Sequence, residues 1–106
     1  MTKAQIIAEI AEKTGIERVV IAETLETYFK VMKNNMAKGE NVYFRGFGSF
    51  ILQKRAKKVA RNITKNTALI IDEHFIPKFK PCKSFLLKVK TTLPPDFEPS
   101  KVVDIE

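Results

Sequence analysis

Residues 53–81 decide how this chain folds, and they read QKRAKKVARNITKNTALIIDEHFIPKFKP. The first half is crowded with basic residues, and the second half contains apolar β-forming residues such as Leu69-Ile70-Ile71. Polar residues between the halves predict a turn, so the stretch should form two β-strands joined at a tip. A two-stranded ribbon has little core of its own and is marginal in water. A ribbon coated with cations is expected to lie along a polyanion, and nucleic acid is the leading candidate.

The charge of the whole chain is concentrated in the same region. The 106 residues carry a formal net charge of +7. Residues 40–90 contain twelve lysines and arginines against three acids, whereas residues 91–106 contain one lysine against four acids. A local positive field of this kind is typical of a nucleic-acid footprint. The acidic extension 91–106 is either a disordered end or a DNA mimic that competes for the basic surface.

Two helices are predicted ahead of the ribbon. Thr2 and Gln5 have the spacing of a capping box, and Gly15 should end the first helix. A longer helix should run from near Glu17 to Gly39. Its apolar residues recur at helical spacing and predict one broad buried stripe, formed by Ile21, Leu25, Tyr28, Phe29, Met32 and Met36.

Strands follow the second helix. Val42–Arg45 should form a strand, Gly46-Phe47-Gly48 a tight turn, and Ser49 onward the next strand, which continues into the basic ribbon. Ala68–Lys80 is predicted as a single return strand. Pro77 should place that strand at a sheet edge, because proline cannot donate a ladder hydrogen bond.

A last helix should close the domain. Pro81 can open it at the first turn, Lys83–Lys90 should form it, and Leu93-Pro94-Pro95 should stop it. The class is therefore α+β, with a helical hairpin, a three-stranded antiparallel sheet with a long arm, and a C-terminal helix. The sheet is small and the chain has eight phenylalanines, so a second copy should be needed to complete the core. The predicted dimer core comprises Phe29, Phe44, Phe47, Phe50 and Phe79.

Three motifs in the chain follow one another in a characteristic order. They are Phe44-Arg45-Gly46-Phe47-Gly48-Ser49-Phe50, then Arg61-Asn62 at the ribbon tip, and then Ile76-Pro77-Lys78-Phe79-Lys80; the amino-terminal Lys3-x-Gln5-x-Ile7 fits the same pattern. Over about residues 1–90 the chain closely resembles the HU/IHF family of bacterial nucleoid DNA-binding proteins. The resemblance implies an intertwined homodimer or heterodimer with a helical base, a saddle-shaped sheet and two β-arms that embrace the DNA minor groove.

The resemblance also assigns roles to the basic residues. The arm, about residues 53–80, should hold phosphates and line the minor groove, and Arg61 and Asn62 should reach its floor, where base readout is degenerate. The predicted DNA-binding residues are Lys3, Lys54, Arg55, Lys57, Lys58, Arg61, Asn62, Ile63, Thr64, Lys65, Lys78, Lys80 and Lys83. DNA bending and compaction should be largely independent of sequence. An IHF-like subunit with a sequence preference is the alternative, as is a structural module that bends DNA weakly and uses its tail for a protein partner.

The chain departs from the family at the arm tip. Ile63 replaces the usual proline, Asn66 replaces the turn glycine, and Cys82 replaces a glycine near the last helix. Minor-groove architectural proteins insert apolar side chains, isoleucine among them, between base pairs. Ile63 is therefore predicted to be an intercalating wedge, and the competing interpretation is that it packs on the neighbouring strand.

Other functions are poorly supported by the residues. Residues 45–52 resemble the RNP1 box of RNA-recognition domains. Those domains open with a strand, however, whereas this chain is predicted to open with a helix. His74 and Cys82 lack partners at metal or catalytic spacing, and adjacent Asp72 and Glu73 face opposite sides of a strand. These acids should instead neutralise cross-strand Lys57 or Lys58. No enzyme, metal, cofactor or small-molecule substrate is expected.

The expected compartment follows from cysteine usage and hydropathy. A lone cysteine precludes an internal disulfide, and no apolar run is long enough for a membrane span or a signal peptide. A cytoplasmic, nucleoid-associated protein without membrane contact is therefore expected, with double-stranded DNA as its partner.

Overall fold

The computed structural model describes residues 1–62, 64–65 and 67–103. It contains three helices and five strands in the predicted α+β arrangement: α1 (Lys3–Thr14), α2 (Arg18–Ala37), β1 (Val42–Phe44), β2 (Gly48–Arg55), β3 (Lys58–Asn62), β4 (Thr67–Ile71), β5 (His74–Pro81) and α3 (Lys83–Thr92). The two N-terminal helices, the antiparallel sheet with its arm and the final helix are all confirmed.

The local signals that bound α1 and precede α2 behave as predicted, whereas α2 ends at Ala37, two residues before the expected Gly39. The Thr2 hydroxyl accepts from the Gln5 backbone N–H, and the Gln5 side chain accepts from the Thr2 N–H at 2.8 Å. Gly15 ends α1 in the left-handed conformation with φ of 75°, where a Cβ would be strained. Glu17 is the residue that precedes α2. The connection between Thr14 and Arg18 is short, and α1 and α2 form a helical hairpin.

The strands divide into two antiparallel sheets. β1, β2 and β5 form a three-stranded sheet in the order β1-β2-β5, while β3 and β4 form a separate two-stranded ribbon, here called the arm. Pro77 lies on β5, which is an edge strand of the larger sheet, and pairs with Leu52 of β2. The predicted placement of Pro77 at a sheet edge is therefore confirmed.

The single return strand predicted over Ala68–Lys80 is wrong. The pairing of β2 with β5 ends at Arg55 and His74, and the pairing of β3 with β4 starts again at Lys58 and Ile71. Four residues without strand character separate the two ladders, namely Ala56, Lys57, Asp72 and Glu73. Alanine, lysine and acidic residues are weak β formers, so the ribbon breaks where both of its sides carry them.

The start of α3 also differs from the sequence prediction. Pro81 is the last residue of β5 and pairs with Gly48, so it does not open the helix. Cys82, with φ of −73° and ψ of 166°, is the extended residue that precedes α3. The helix continues to Thr92, two residues beyond Lys90, and the extended backbone of Leu93 then ends it.

A chain of aromatic rings joins the helices to the sheet. Ring centroids lie 4.9 Å apart for Phe50 and Phe79, 5.2 Å for Phe47 and Phe79, and 5.4 Å for Phe47 and Phe85. Phe44 extends the cluster to Tyr28 on α2 at 5.8 Å. Rings at these separations stabilise each other beyond their buried area. We call this cluster, which is partly exposed in the single chain, the aromatic core.

The single chain leaves much of its apolar surface uncovered. Among the described residues, Ile21 and Met36 are the buried hydrophobic side chains, at 6% and 9% exposure. In the single chain Phe29, which belongs to the predicted stripe on α2, is 41% exposed, and Phe75 on β5 is 64% exposed. Both line an open groove of about 890 Å³ between α2 and the sheet. They are exposed because no other part of the described chain covers that side.

Gly48 provides a local test of this packing. A Cβ added there would lie 2.5 Å from the backbone oxygen of Lys80 and 2.8 Å from the Phe79 ring. Because the oxygen belongs to a paired strand, it cannot move aside cheaply. We expect Gly48→Ala to destabilise the protein by about 1–3 kcal/mol or more, the range for overpacking. Urea unfolding should show a lower midpoint for Gly48→Ala, whereas Ser49→Ala should stay close to wild type; equal midpoints would contradict this packing.

Candidate nucleic-acid interface

The arm exposes cations on both of its faces. Residues directly opposite in an antiparallel pair share a face, and neighbours along a strand alternate. Lys58 pairs with Ile71, whereas Arg61 pairs with Ala68, so these two cations lie on opposite faces. The four residues are all exposed. The arm can therefore contact anionic groups on either face. Ile71 and Ala68, the cross-strand partners of the two cations, carry no negative charge that would oppose such contacts.

The larger sheet presents three cations on its outer face. Arg55 pairs with His74, and the same face carries Lys78 and Lys80, opposite Ile51 and Ser49. Phe50 and Phe79 lie on the other face, where they pack together. We call Arg55, Lys78 and Lys80 the outer-face cations. Alternation along two paired strands thus separates the charged surface from the aromatic core.

Lys54 lies on the core-side face and is engaged by an acid. Its Nζ is 3.3 Å from Glu73 Oε2, and both side chains are more than half exposed. The prediction that Glu73 neutralises Lys57 or Lys58 is therefore wrong. Glu73 stands in the break between the two ladders, directly before β5, and so reaches back to β2 rather than across the arm. Exposed pairs contribute only about 0–1 kcal/mol to stability, so DNA phosphates can compete for Lys54.

The remaining residues predicted to bind DNA lie at the base of the arm or near its tip. Lys57 lies in the break between the ladders, Asn62 is the last residue of β3, and Thr64 and Lys65 form part of the turn. The predicted wedge, Ile63, lies outside the described residues, as does Asn66. The wedge role therefore stays a prediction from the sequence.

Lys3, Lys80 and Lys83 are the cations predicted to contact phosphates on the body, and Lys3 and Lys83 have different surroundings. Lys83 is exposed at the start of α3, three residues after Lys80. Lys3, by contrast, forms a salt bridge with Glu26 across the helical hairpin. This bond and the nearby charge hold the pKa of the Glu26 carboxyl below its usual value. Sequence reasoning missed Glu26, since a partner 23 residues away leaves no local signal.

Cys82 lies between β5 and α3, close to Lys83. Its Sγ is 3.1 Å from Ser84 Oγ. Hydrogen bonds to Ser84 and to the Phe85 backbone lower the pKa of the thiol, because they favour the charged form. Within the described ranges no group of three His, Cys, Asp or Glu side chains is placed to hold a metal.

Two other features bear on the expected functions. Phe47 and Phe50 pack against other rings of the aromatic cluster, whereas the aromatic residues of an RNP1 box stack on bases. In the part of the chain that the structure describes, no helix combines the length and hydropathy required to cross a bilayer.

Comparison with known proteins shows which family the chain resembles. The sequence pattern of the family described as bacterial DNA-binding protein matches residues 1–90. DNA-binding protein HU of Thermotoga maritima is 37% identical over 90 residues, covering 85% of this chain and all of that protein. Integration host factor subunit beta of Colwellia psychrerythraea is 30% identical over 94 residues, covering 88% of this chain and 99% of its own.

Solved structures agree with this assignment. The Anabaena HU–DNA cocrystal structure superposes with a TM-score of 0.79 at 27% identity and covers 84% of this chain and 97% of that one. A mutant HU from Thermotoga maritima gives a TM-score of 0.64 at 30% identity, with 84% and 99% covered. The fold, the cationic arm and these matches together lead to one conclusion: the chain belongs to the HU/IHF family of bacterial histone-like DNA-binding proteins, which are architectural and not enzymatic.

Proposed function

We propose that two copies of this chain form an intertwined dimer that grips the minor groove of duplex DNA with its arms and bends it, largely without sequence preference. The observation that carries the proposal is the continuity of positive charge from the sheet to the arm. The outer-face cations lead into Lys57, Lys58 and Arg61. Phosphate contacts of this kind supply affinity independent of sequence.

The uncovered aromatic surface supports dimerisation. Phe29, Phe75 and Pro77 line the open groove with Met32 and Leu52. A soluble domain gains stability when such a surface is removed from water, at about 25 cal/mol per Å² of apolar area. A second copy of the chain would complete the core around Phe44, Phe47, Phe50 and Phe79.

The relatives support DNA as the partner. The related Anabaena protein was crystallised as an HU–DNA complex. Association with the nucleoid and compaction of DNA would follow from such binding. A heterodimer with a paralogous chain is the alternative suggested by the integration host factor subunits among the relatives.

A gel-shift titration on random-sequence duplex tests the proposal. We expect the full chain to shift random duplexes of equal length with closely similar affinities. A strong preference for one sequence would instead favour an IHF-like role. If duplex is not shifted at low salt and micromolar protein, DNA binding is wrong and the fold serves as an interaction module.

Ile63 is expected to determine bending rather than affinity. Ile63→Ala should leave the phosphate contacts intact while removing the apolar group that fills an unstacked base step. DNA bending should therefore fall much more than affinity does. Ile63→Pro, which introduces the residue usual in the family, should retain or increase bending. Energy transfer between dyes at the two ends of a short duplex measures the bend.

Arg61→Ala is the matched control at the same end of the arm. It should weaken binding and reduce the salt dependence, since it removes one phosphate or groove contact. If Ile63→Ala bends DNA as wild type does, the arm tip binds DNA without inserting a side chain between base pairs.

A further inference from the structure

The segment after α3 is not part of the shared fold. The family pattern ends at residue 90, and α3 ends at Thr92. Residues 93–106 carry Asp96, Glu98, Asp104 and Glu106 against a single Lys101. We call residues 93–106 the acidic tail. Its charge is opposite to that of residues 40–90, which contain twelve cations and three acids.

The described part of the tail makes little use of its side chains for folding. Leu93 is extended, and the Phe97 backbone N–H donates to the Pro94 oxygen at 3.1 Å. Residues 93–103 are all exposed, and Val102 reaches 90% exposure. Asp96 and Glu98 therefore remain accessible to a cationic partner.

The tail is long enough to reach such a partner on its own molecule. Fourteen residues span at most about 46–50 Å when fully extended, and about 20 Å on average when flexible. The whole chain measures 57 Å along its longest axis. Lys83 begins the helix from which the tail emerges, and Lys80 and Lys78 precede it by a few residues. Lys88 and Lys90 on α3 lie nearer to the tail along the chain, but Lys78, Lys80 and Lys83 are the cations predicted to bind phosphates.

We propose that the acidic tail binds the outer-face cations and Lys83 and thereby competes with DNA for them. The proposal rests on the DNA-binding function proposed above, because the regulated surface is the same. Tethering gives the tail a local concentration in the millimolar range, so even weak ionic contacts reduce DNA affinity. Exposed ion pairs are screened by salt. The inhibition should therefore be strongest at low ionic strength.

The test neutralises the tail without shortening the chain. The variant Asp96→Asn, Glu98→Gln, Asp104→Asn, Glu106→Gln should bind random duplex about 3–10-fold more tightly than wild type at about 50 mM salt, and the gain should shrink towards unity near 300 mM. A control with the same change in charge neutralises four exposed acids of the body, Glu9, Glu12, Glu23 and Glu40, to glutamine. Its gain should stay below about twofold. Equal gains in the two variants, or no gain in either, would overturn the proposal.

A second measurement separates the tail contact from DNA binding. Amide NMR spectra of wild type and the tail-neutralised chain, recorded without DNA at about 50 mM salt, should differ at Arg55, Lys78, Lys80 and Lys83. The differences should fade near 300 mM salt. Differences confined to residues 93–106 would overturn the tail contact whatever the DNA result. Shifts at the cations in a protein that fails to bind DNA would support the contact and refute the proposed function.

Discussion

Phe47→Ala should lower the free energy of unfolding by about 3–5 kcal/mol, the usual cost of removing a buried phenylalanine ring. The centroid of the Phe47 ring lies 5.2 Å from that of Phe79, 5.4 Å from that of Phe85 and 6.5 Å from that of Phe44. It therefore joins the sheet to α3. In the single chain Phe47 is 46% exposed, so the full effect requires a partner chain that covers the rest. Urea unfolding followed by circular dichroism measures the loss.

The size of this loss distinguishes a dimer from a monomer. If no second chain covers Phe47, truncation should cost only about 1.5–2.5 kcal/mol, half the value for full burial. Val102→Ala is the control, since Val102 is 90% exposed in the acidic tail outside the ring cluster, and it should change stability by less than about 0.5 kcal/mol. Light scattering of wild type provides the second check. A stable folded monomer of 12.1 kDa at micromolar concentration would contradict the intertwined fold.

Features that depend on neighbouring residues could be predicted from the sequence. The Thr2–Gln5 capping box and the Gly15 helix end need only a few consecutive residues, and both are present. The edge placement of Pro77 follows from its missing N–H and is also confirmed. Local hydrogen-bond chemistry therefore sufficed to place most helices and strands.

Features that depend on register could not be predicted in the same way. The break at Asp72 and Glu73 arises where one ladder ends and another begins. The partner of Glu73 follows from that break, and it is Lys54 rather than a cation of the arm. The separation of Arg55, Lys78 and Lys80 from the aromatic core likewise becomes visible only once β2 and β5 are paired.

Burial was the least predictable property. The spacing of Phe29 on α2 is that of a core residue, and Phe75 lies in an apolar strand, yet in the single chain they are 41% and 64% exposed. The spacing of these residues indicates an apolar surface, but it does not indicate which part of the protein covers that surface. A sequence pattern identifies an apolar face of a helix or strand, but the chain that covers this face can be a second copy.

Binding to duplex DNA should weaken steeply as salt is added. Each phosphate neutralised by lysine or arginine contributes about −0.9 to the slope of log affinity against log salt concentration. The outer-face cations together with Lys57, Lys58 and Arg61 give six exposed candidates, so the expected slope is about −5 or steeper. Affinity should then fall on the order of 10³-fold between about 50 and 200 mM salt. This is the largest effect expected for the wild-type chain.

A salt titration of binding to one random-sequence duplex, followed by fluorescence anisotropy, tests most directly whether these cations hold phosphates. Arg61→Ala should reduce the magnitude of the slope by about one. Lys13→Ala, an exposed cation at the end of α1 outside the predicted surface, should leave it unchanged. The cationic arm and sheet predict a slope of about −5 or steeper for wild type; a nearly flat response, with the three proteins indistinguishable, would contradict phosphate binding by this surface.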